Sequence, residues 1–376
     1  RHEVHLLEAR TVRWGASGRH GGQVCSRQRK EQDELEHMLG MDHARALCAL
    51  SEEAKDSVRH LIRRHEIDCA YKNGIAHPDH KPGYAEHSKR YVEKLNREYG
   101  YEQIRYLDSA EMARITGSEG YHGGTLDRGA GHLHPLNYAQ GLAHAAHALG
   151  ARIFEDCRVQ SYTASDGVTL RTQTHTVRAE KLVLACNGYL EKLEPRLGGR
   201  IMPINNFVAA TQPLDADTVQ QLNPEDVAIA DSRFVVNYYR LSEDKRLLFG
   251  GGENYRAGFP GDIAAFVRKP MTQVYPQLDG VQIDYAWGGT LAVSLNRLPH
   301  FGSLDREQVI YAQGYSGQGV ALATLAGKLI AEKIGGESSR FARFADLPTP
   351  MFPGGTLLRW PGMVLGMLYY AMRDRF

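Results

Sequence analysis

Glu8 stands at the end of a short apolar run, Val4-His5-Leu6-Leu7. It is followed by Trp14-Gly15-Ala16-Ser17-Gly18-Arg19 and then by the pair Gly21-Gly22. An acid at the tip of a parallel strand is the group with which a dinucleotide-binding fold accepts a hydrogen bond from a ribose 2′-hydroxyl. Two more apolar strands run into glycine turns. Lys181 to Cys186 leads into Asn187-Gly188, and Val309 to Gln313 leads into Gly314-Tyr315-Ser316-Gly317-Gln318-Gly319. A glycine turn at a strand's carboxyl end lets backbone N–H groups approach a phosphate or a ring, and the next helix adds a field that favours anions. Each turn alone is more often tight packing. The three together, in this order, point to a bound dinucleotide. Such a fold places a G-x-G-x-x-G turn about 20 residues before the acid. Only seven residues precede Glu8, so the sequence reads as opening on the second strand.

Metal chemistry finds little support. Among the 17 histidines, His132 and His134 share one face of a strand and His77 and His80 lie in a loop. No carboxylate or cysteine joins either pair at ligand spacing, so no metal site is expected. The five cysteines are odd in number, widely spread and form no C-x-x-C pair. That argues against zinc and against a disulfide framework, and for a reducing, cytoplasmic location.

Elements that position these residues follow from periodicity. Helices are expected over Glu31–Met38, His43–His65, His80–Tyr99, Leu136–Leu149, Asp262–Val274 and Val320–Ile334. Ala46, Leu47, Leu50, Ala54, Val58, Leu61 and Ile62 form the apolar stripe of the second. Leu107-Asp108-Ser109-Ala110-Glu111 reads as a helix entry with its cap. Strands are expected at Ile67–Ile75 with a turn at Asn73-Gly74, at Arg152–Tyr162 and Val168–Thr176, and at Ile204–Thr211, Phe234–Leu241, Arg246–Gly250 and Val281–Thr290. Gly123 to Pro135 is glycine-rich and reads as an irregular crossover.

At 376 residues the chain has room for two domains of about 150 residues. Its 45 basic and 44 acidic residues leave a net charge of +1, which gives no reason to expect nucleic acid or an acidic membrane as partner. The apolar run Met363–Tyr370 is far shorter than the roughly 20 residues of a membrane span. No transmembrane segment is expected; a docked amphipathic helix is.

The motifs LLEA…WGASGRHGGQ (6–23), GMDHARAL (40–47), GGTLDRGAGHLHPLNYA (123–139) and NGYLEKLEPRLGGRIMPI (187–204) resemble those of the FAD-dependent amine and amino-acid oxidases. That superfamily includes glycine, sarcosine and D-amino-acid oxidases. The likeness continues through NYYRLSEDKRLLFGGG (237–252), YPQLDGVQIDYAWGG (275–289), RLPHFGSLD (297–305), YAQGYSGQGVALATLAGKLIAE (311–332) and FPGG (352–355). It is strongest to the γ-glutamylputrescine oxidase branch and covers essentially the whole chain. It implies an α/β fold: a discontinuous Rossmann-like FAD-binding domain (1–48, 131–200 and 296–340), lacking its first strand and glycine turn. Interleaved with it would be a β-rich, mixed α+β substrate domain (49–130 and 201–295), followed by a C-terminal docking tail (341–376).

By that resemblance Glu8 holds the adenosine ribose, and Val159, in the strand RVQSY, meets the adenine. Ser17, Gly18, Arg19, Gly21, Gly22 and Gln23 wrap the pyrophosphate and the flavin edge. Asn187 and Gly188 close on the pyrophosphate, and Gly314, Tyr315, Ser316, Gly317, Gln318, Gly319 and Val320 cover the flavin and ribityl chain. Gln318 stands where the family most often has His. Leu291 to Pro299 holds no cysteine, so FAD is expected to be non-covalent. The implied reaction is oxidative deamination of an amine to aldehyde, ammonia and H₂O₂, with O₂ as second substrate. An aromatic slot suits an aliphatic ammonium end, and Tyr238, Tyr239, Trp287 and Tyr255 are its candidates. For each of these a place in a sheet core is the plainer role. Arg297 is the candidate for a substrate carboxylate, or else a domain-joining salt bridge. Two alternatives stay open: an oxidase of a small amino acid of the glycine or sarcosine type, and a truncated, flavin-free, inactive homologue.

Overall fold

The computed structural model describes residues 2–26, 28–253, 258–362 and 364. Its main frame is a nine-stranded mixed sheet. From one edge the strands run Ile283–Ser294, Ile201–Thr211, Leu247–Glu253, Tyr238–Leu241, Ala228–Ala230, Lys72–Pro78, Gly124–His132 and Gln23–Val24, with Ile104–Leu107 also paired to Gly124–His132. Two small parallel pairings stand apart from it. His5–Leu7 pairs with Arg152–Phe154, and Leu182–Leu184 pairs with Val309–Gln313, whose other edge takes His300–Leu304. Ser161–Ser165, Gly167–Arg171 and Thr176–Ala179 form a separate antiparallel meander.

The helices follow their caps and stripes. Asp108 and Glu111 form a reciprocal capping box at the start of Ser109–Thr116, which satisfies two of the helix's orphan N–H groups. Met41–Arg64 buries Ala44, Leu47, Leu50, Ala54 and Val58 in one cluster with Leu322, Leu325, Ala326 and Leu329 of Gly319–Ile334. Each fully buried leucine contributes about 2 kcal/mol. That cluster fixes the helix which starts at the last glycine turn. Phe352 and Trp360 pack on Met202, Ile204 and Val293. Most of the Met363–Tyr370 run, and Tyr255, lie outside the described residues. No helix among the described residues is long and apolar enough to cross a membrane.

Three local expectations are corrected. Gly123–Pro135 is not an irregular crossover: it holds the nine-residue strand Gly124–His132. Its glycines are there for close approach, since a Cβ on Gly124 (φ 137°) would lie 2.2 Å from the His77 carbonyl oxygen. Asn73-Gly74 is not a turn. It is an irregularity within Lys72–Pro78, where the register against the next strand shifts between Asn73 and Ile75, a β-bulge accommodated by Gly74 at φ 112°. Val159 is not in a strand, because Gln160 and the residues before it separate Arg152–Phe154 from Ser161–Ser165.

Candidate functional site

The carboxyl ends of the two small parallel sheets converge on one another. The Glu8 carbonyl accepts from the Cys157 N–H and its side chain accepts from the Arg10 N–H, both bonds fixing the chain after the strand. Leu7, Val159, Cys186 and Leu184 share one apolar cluster. Burial, with the Glu8 charge as a lesser cause, pushes the Cys186 thiol up to about 11. Glu8, Val159 and the Asn187 turn are thus brought to one place from segments about 150 residues apart in sequence.

Asn187 and the last glycine turn are joined directly. Asn187 sits at φ 47°, and its Oδ1 accepts from the Gly314 N–H at 2.9 Å. Ser316 is also left-handed (φ 52°), with its N–H given to the Ala292 carbonyl at 3.0 Å. Such backbone, held against its preference by neighbours, is characteristic of ligand clamps. Gly188 could not carry a side chain, since its Cβ would lie 2.9 Å from the Thr290 carbonyl oxygen. Gly317, by contrast, has open space around it at φ 93°. Gln318 caps the helix Gly319–Ile334 without a side-chain cap bond, and its buried Oε1 has no protein partner.

The Gly21–Gln23 segment lies on the same face of the large sheet as Tyr238. A Cβ on Gly21 would lie 2.6 Å from the Tyr238 ring, and one on Gly22 would lie 2.1 Å from the Leu133 carbonyl oxygen. Tyr238 donates its hydroxyl to Asn206 Oδ1, and Gln23 Nε2 donates to the Ile229 carbonyl at 3.3 Å. Tyr239 is directed elsewhere. It is 1% exposed, stacks on Phe249 at 5.1 Å, meets Tyr275 edge-on and shares a hydrogen bond with Tyr121. Adjacent strand residues face opposite sides, so Tyr238 faces the glycine turn while Tyr239 belongs to the core.

Other candidates are held by structural bonds. Trp287 donates its indole N–H to the Arg19 carbonyl at 2.8 Å. Arg19 in turn donates Nε to the Trp14 carbonyl at 2.6 Å and a terminal nitrogen to the Gly288 carbonyl at 3.0 Å, with its head over the Trp14 ring. These bonds fix the short helix Ala16–Arg19, which carries Ser17 (exposed) and Gly18, against the sheet. Arg297 sits at φ 65°, its guanidinium 5.4 Å from the centre of the Phe234 ring. No group of three His, Cys, Asp or Glu among the described residues could hold a metal.

Three residues at the site were not singled out from sequence: His20, Tyr189 and Arg240. His20 Nδ1 accepts from the Gly22 N–H at 3.0 Å, and burial beside Arg240 holds its pKa down at about 4. The Tyr189 hydroxyl accepts from the Thr290 N–H, and its ring meets Trp14 edge-on. Arg240 donates Nε to the Gly21 carbonyl at 2.7 Å. Its position two residues after Tyr238, on the same strand face, was the available signal.

A family profile for FAD dependent oxidoreductases matches residues 1–333, and the chain belongs to that family. Among curated relatives, gamma-glutamylputrescine oxidoreductase of Escherichia coli (strain K12) is 40% identical over 99% of this chain and 87% of its own length. A probable oxidoreductase, OrdL, of Rhizobium meliloti (strain 1021) is 38% identical over 100% of this chain and 87% of its own. Among solved structures, glycine oxidase from Geobacillus kaustophilus superposes with a TM-score of 0.74 at 20% identity, covering 90% of this chain and 89% of that one. The protein is therefore an FAD-dependent oxidoreductase with the two-domain fold of that family.

The residues present fit FAD. Gln318 Oε1 is a buried acceptor without a protein donor, the helix behind it starts without a side-chain cap, and Gly317 beside it has open space. Each is a feature that a ribityl hydroxyl, a phosphate or a ring would satisfy.

Proposed function

We propose that the protein oxidises an amine at the carbon beside nitrogen, with γ-glutamylputrescine as the substrate and aldehyde, ammonia and H₂O₂ as products. The observation that carries this reading is the 40% identity, over 99% of the chain, to gamma-glutamylputrescine oxidoreductase. Bound FAD would supply the hydride acceptor and the route for electrons to O₂. The chain's own residues hold and orient. Glu8 accepts from the ribose, with Val159 beside the adenine. Asn187, Gly188 and the backbone of Gly314, Tyr315, Ser316, Gly317, Gln318, Gly319 and Val320 surround the pyrophosphate and ribityl chain. Gly21, Gly22 and Gln23 meet the ring edge, with Ser17, Gly18 and Arg19 behind them. Cofactor attachment is non-covalent, since Leu291–Pro299 offers no cysteine.

On the substrate side Tyr238 would be the aromatic wall and Arg297 the partner of a substrate carboxylate. Trp287 acts by holding Arg19 in place. Residues 1–48, 131–200 and 296–340 would form the cofactor part, and 49–130 and 201–295 the substrate part. The activity would serve cytoplasmic polyamine degradation. The test is H₂O₂ release by the purified, FAD-loaded protein given γ-glutamylputrescine, putrescine, glycine and sarcosine in turn. Turnover of γ-glutamylputrescine well above the others is expected. Activity confined to the α-amino acids would replace this reading with that of a small amino-acid oxidase.

A further inference from the structure

The large sheet carries a buried cation that none of these roles uses. Arg240 is 5% exposed. Among the described residues its hydrogen bonds go to backbone carbonyls only, Nε to Gly21 at 2.7 Å and a terminal nitrogen to Leu241 at 3.1 Å. No carboxylate among the described residues lies within ion-pair distance of it. Its surroundings are also unusual. His20, half-buried, and His132, buried, are held near pKa 4, His134 is lowered as well, and the Arg240 charge contributes in all three. Asp226, the acid acting on Arg240 at longer range, is spent on Lys72.

A guanidinium buried without a counter-ion is costly. Two carbonyls do not require one, because a neutral amide would donate to them with less desolvation. The charge sits directly beneath the Gly21-Gly22 turn, where a Cβ on Gly22 would lie 3.1 Å from Arg240 Nε. That turn is the segment assigned above to the flavin edge. The charge is therefore aimed at whatever the turn holds.

We propose that Arg240 is a positioning residue with an electrostatic role: it clamps the Gly21-Gly22 turn to the sheet, and its uncompensated charge favours the electron-rich, reduced state of the cofactor bound there. The proposal rests on the assignment of the turn to the flavin edge and not on the identity of the amine. A fixed positive charge in a low-dielectric site interacts more strongly with the more negative redox state, so its removal lowers the reduction potential.

The experiment measures the two-electron reduction potential of bound FAD, by equilibration with a reference dye, in the full-length FAD-loaded protein and in Arg240→Lys and Arg240→Gln. No amine enters the measurement, so a wrong substrate assignment leaves it unaffected. Arg240→Gln keeps donors for the carbonyls and loses the charge. It is expected to shift the oxidised-to-reduced balance at least tenfold toward the oxidised form, about 30 mV for a two-electron couple. Arg240→Lys keeps the charge and is expected to stay within about threefold of the parent, or about 15 mV on the same scale. An unchanged potential in Arg240→Gln overturns the proposal, and so does an equal loss in both variants, which would mark a purely steric clamp. Should Arg240→Gln fail to fold, Arg240→Met takes its place as the variant without charge: a shift of the same size supports the proposal, and an unchanged potential overturns it.

Discussion

His20 accepts the Gly22 amide proton only while its ring is neutral, because a protonated imidazole has no acceptor left. Burial first, and Arg240 second, hold its pKa near 4 against an ordinary 6.5. In the unfolded chain the ring takes up a proton near pH 6.5; in the folded chain it resists down to about 4. The unfolded state thus binds more protons between those values, and stability falls as pH drops through that window. From pH 7 to pH 5 this one residue is expected to withdraw about 2 kcal/mol. The comparison that isolates it is the denaturation midpoint of the parent and of His20→Asn, whose amide oxygen can still accept from Gly22. The variant should lose less stability between the two pH values; equal losses would remove His20 as the cause. The neighbouring aromatics show what was readable at this scale. The sequence pattern singled out Tyr238 and Tyr239 together, yet a strand sends consecutive side chains to opposite faces. Which of the two faces the site depends on where residues 21–23 cross the sheet. That crossing is set by contacts more than 200 positions away in sequence, such as Arg240 on Gly21.

At the scale of elements, the Asn187 turn and the last glycine turn act as one clamp because a single side chain joins them. Asn187→Ala removes the bond to the Gly314 N–H and places alanine at φ 47°, together costing about 2 kcal/mol. FAD affinity is expected to fall roughly 10- to 30-fold by that energy, read by fluorescence titration. Asn187→Gly relieves the backbone but not the bond, and should fall between the two. If both variants bind FAD as the parent does, the turns are not coupled. The strand Gly124–His132 makes a different point. Its glycine content read as a crossover because glycine is depleted from strands, and periodicity could not reveal that Tyr71, Tyr101 and the His77 carbonyl press on it from three sides. Gly124→Ala, with its Cβ 2.2 Å from a backbone oxygen and φ 137°, is expected to destabilise by more than about 2 kcal/mol in chemical denaturation. Helices fared better from sequence alone: the stripe and C-terminal glycine of Ala85–Tyr99 are local signals, and Gly100 takes the left-handed cap they imply.

For the whole molecule, the site is assembled from segments near residues 8, 21, 187 and 314, on three separate sheets. Asn187 bonds to Gly314 and Trp14 meets Tyr189 edge-on, while Trp287 and Arg240 hold Arg19 and Gly21 to the large sheet. A ligand touching all four segments would supply the rest. Binding that favours the folded state stabilises it by RT ln(1 + [L]/Kd), about 2.7 kcal/mol at a hundredfold excess over Kd. In a protein of this size that corresponds to roughly 3 °C in melting temperature. The FAD-free protein is therefore expected to melt at least that much lower than the loaded form, with the difference growing as free FAD is raised. Hydrogen exchange should locate the change. Protection lost on removing FAD is expected at 15–23, 186–190 and 314–320, while the core around Tyr239, Phe249 and Tyr275, a single packed cluster within the large sheet, keeps its protection. Uniform loss across both regions would mean that FAD supports the global fold, and no melting shift would mean that the four segments are already held by the protein alone. The local outcome is the one favoured by the packing: Val267, Met271 and Phe249 complete that cluster without any residue of the glycine turns, so the sheet has its core whether or not the cofactor is in place.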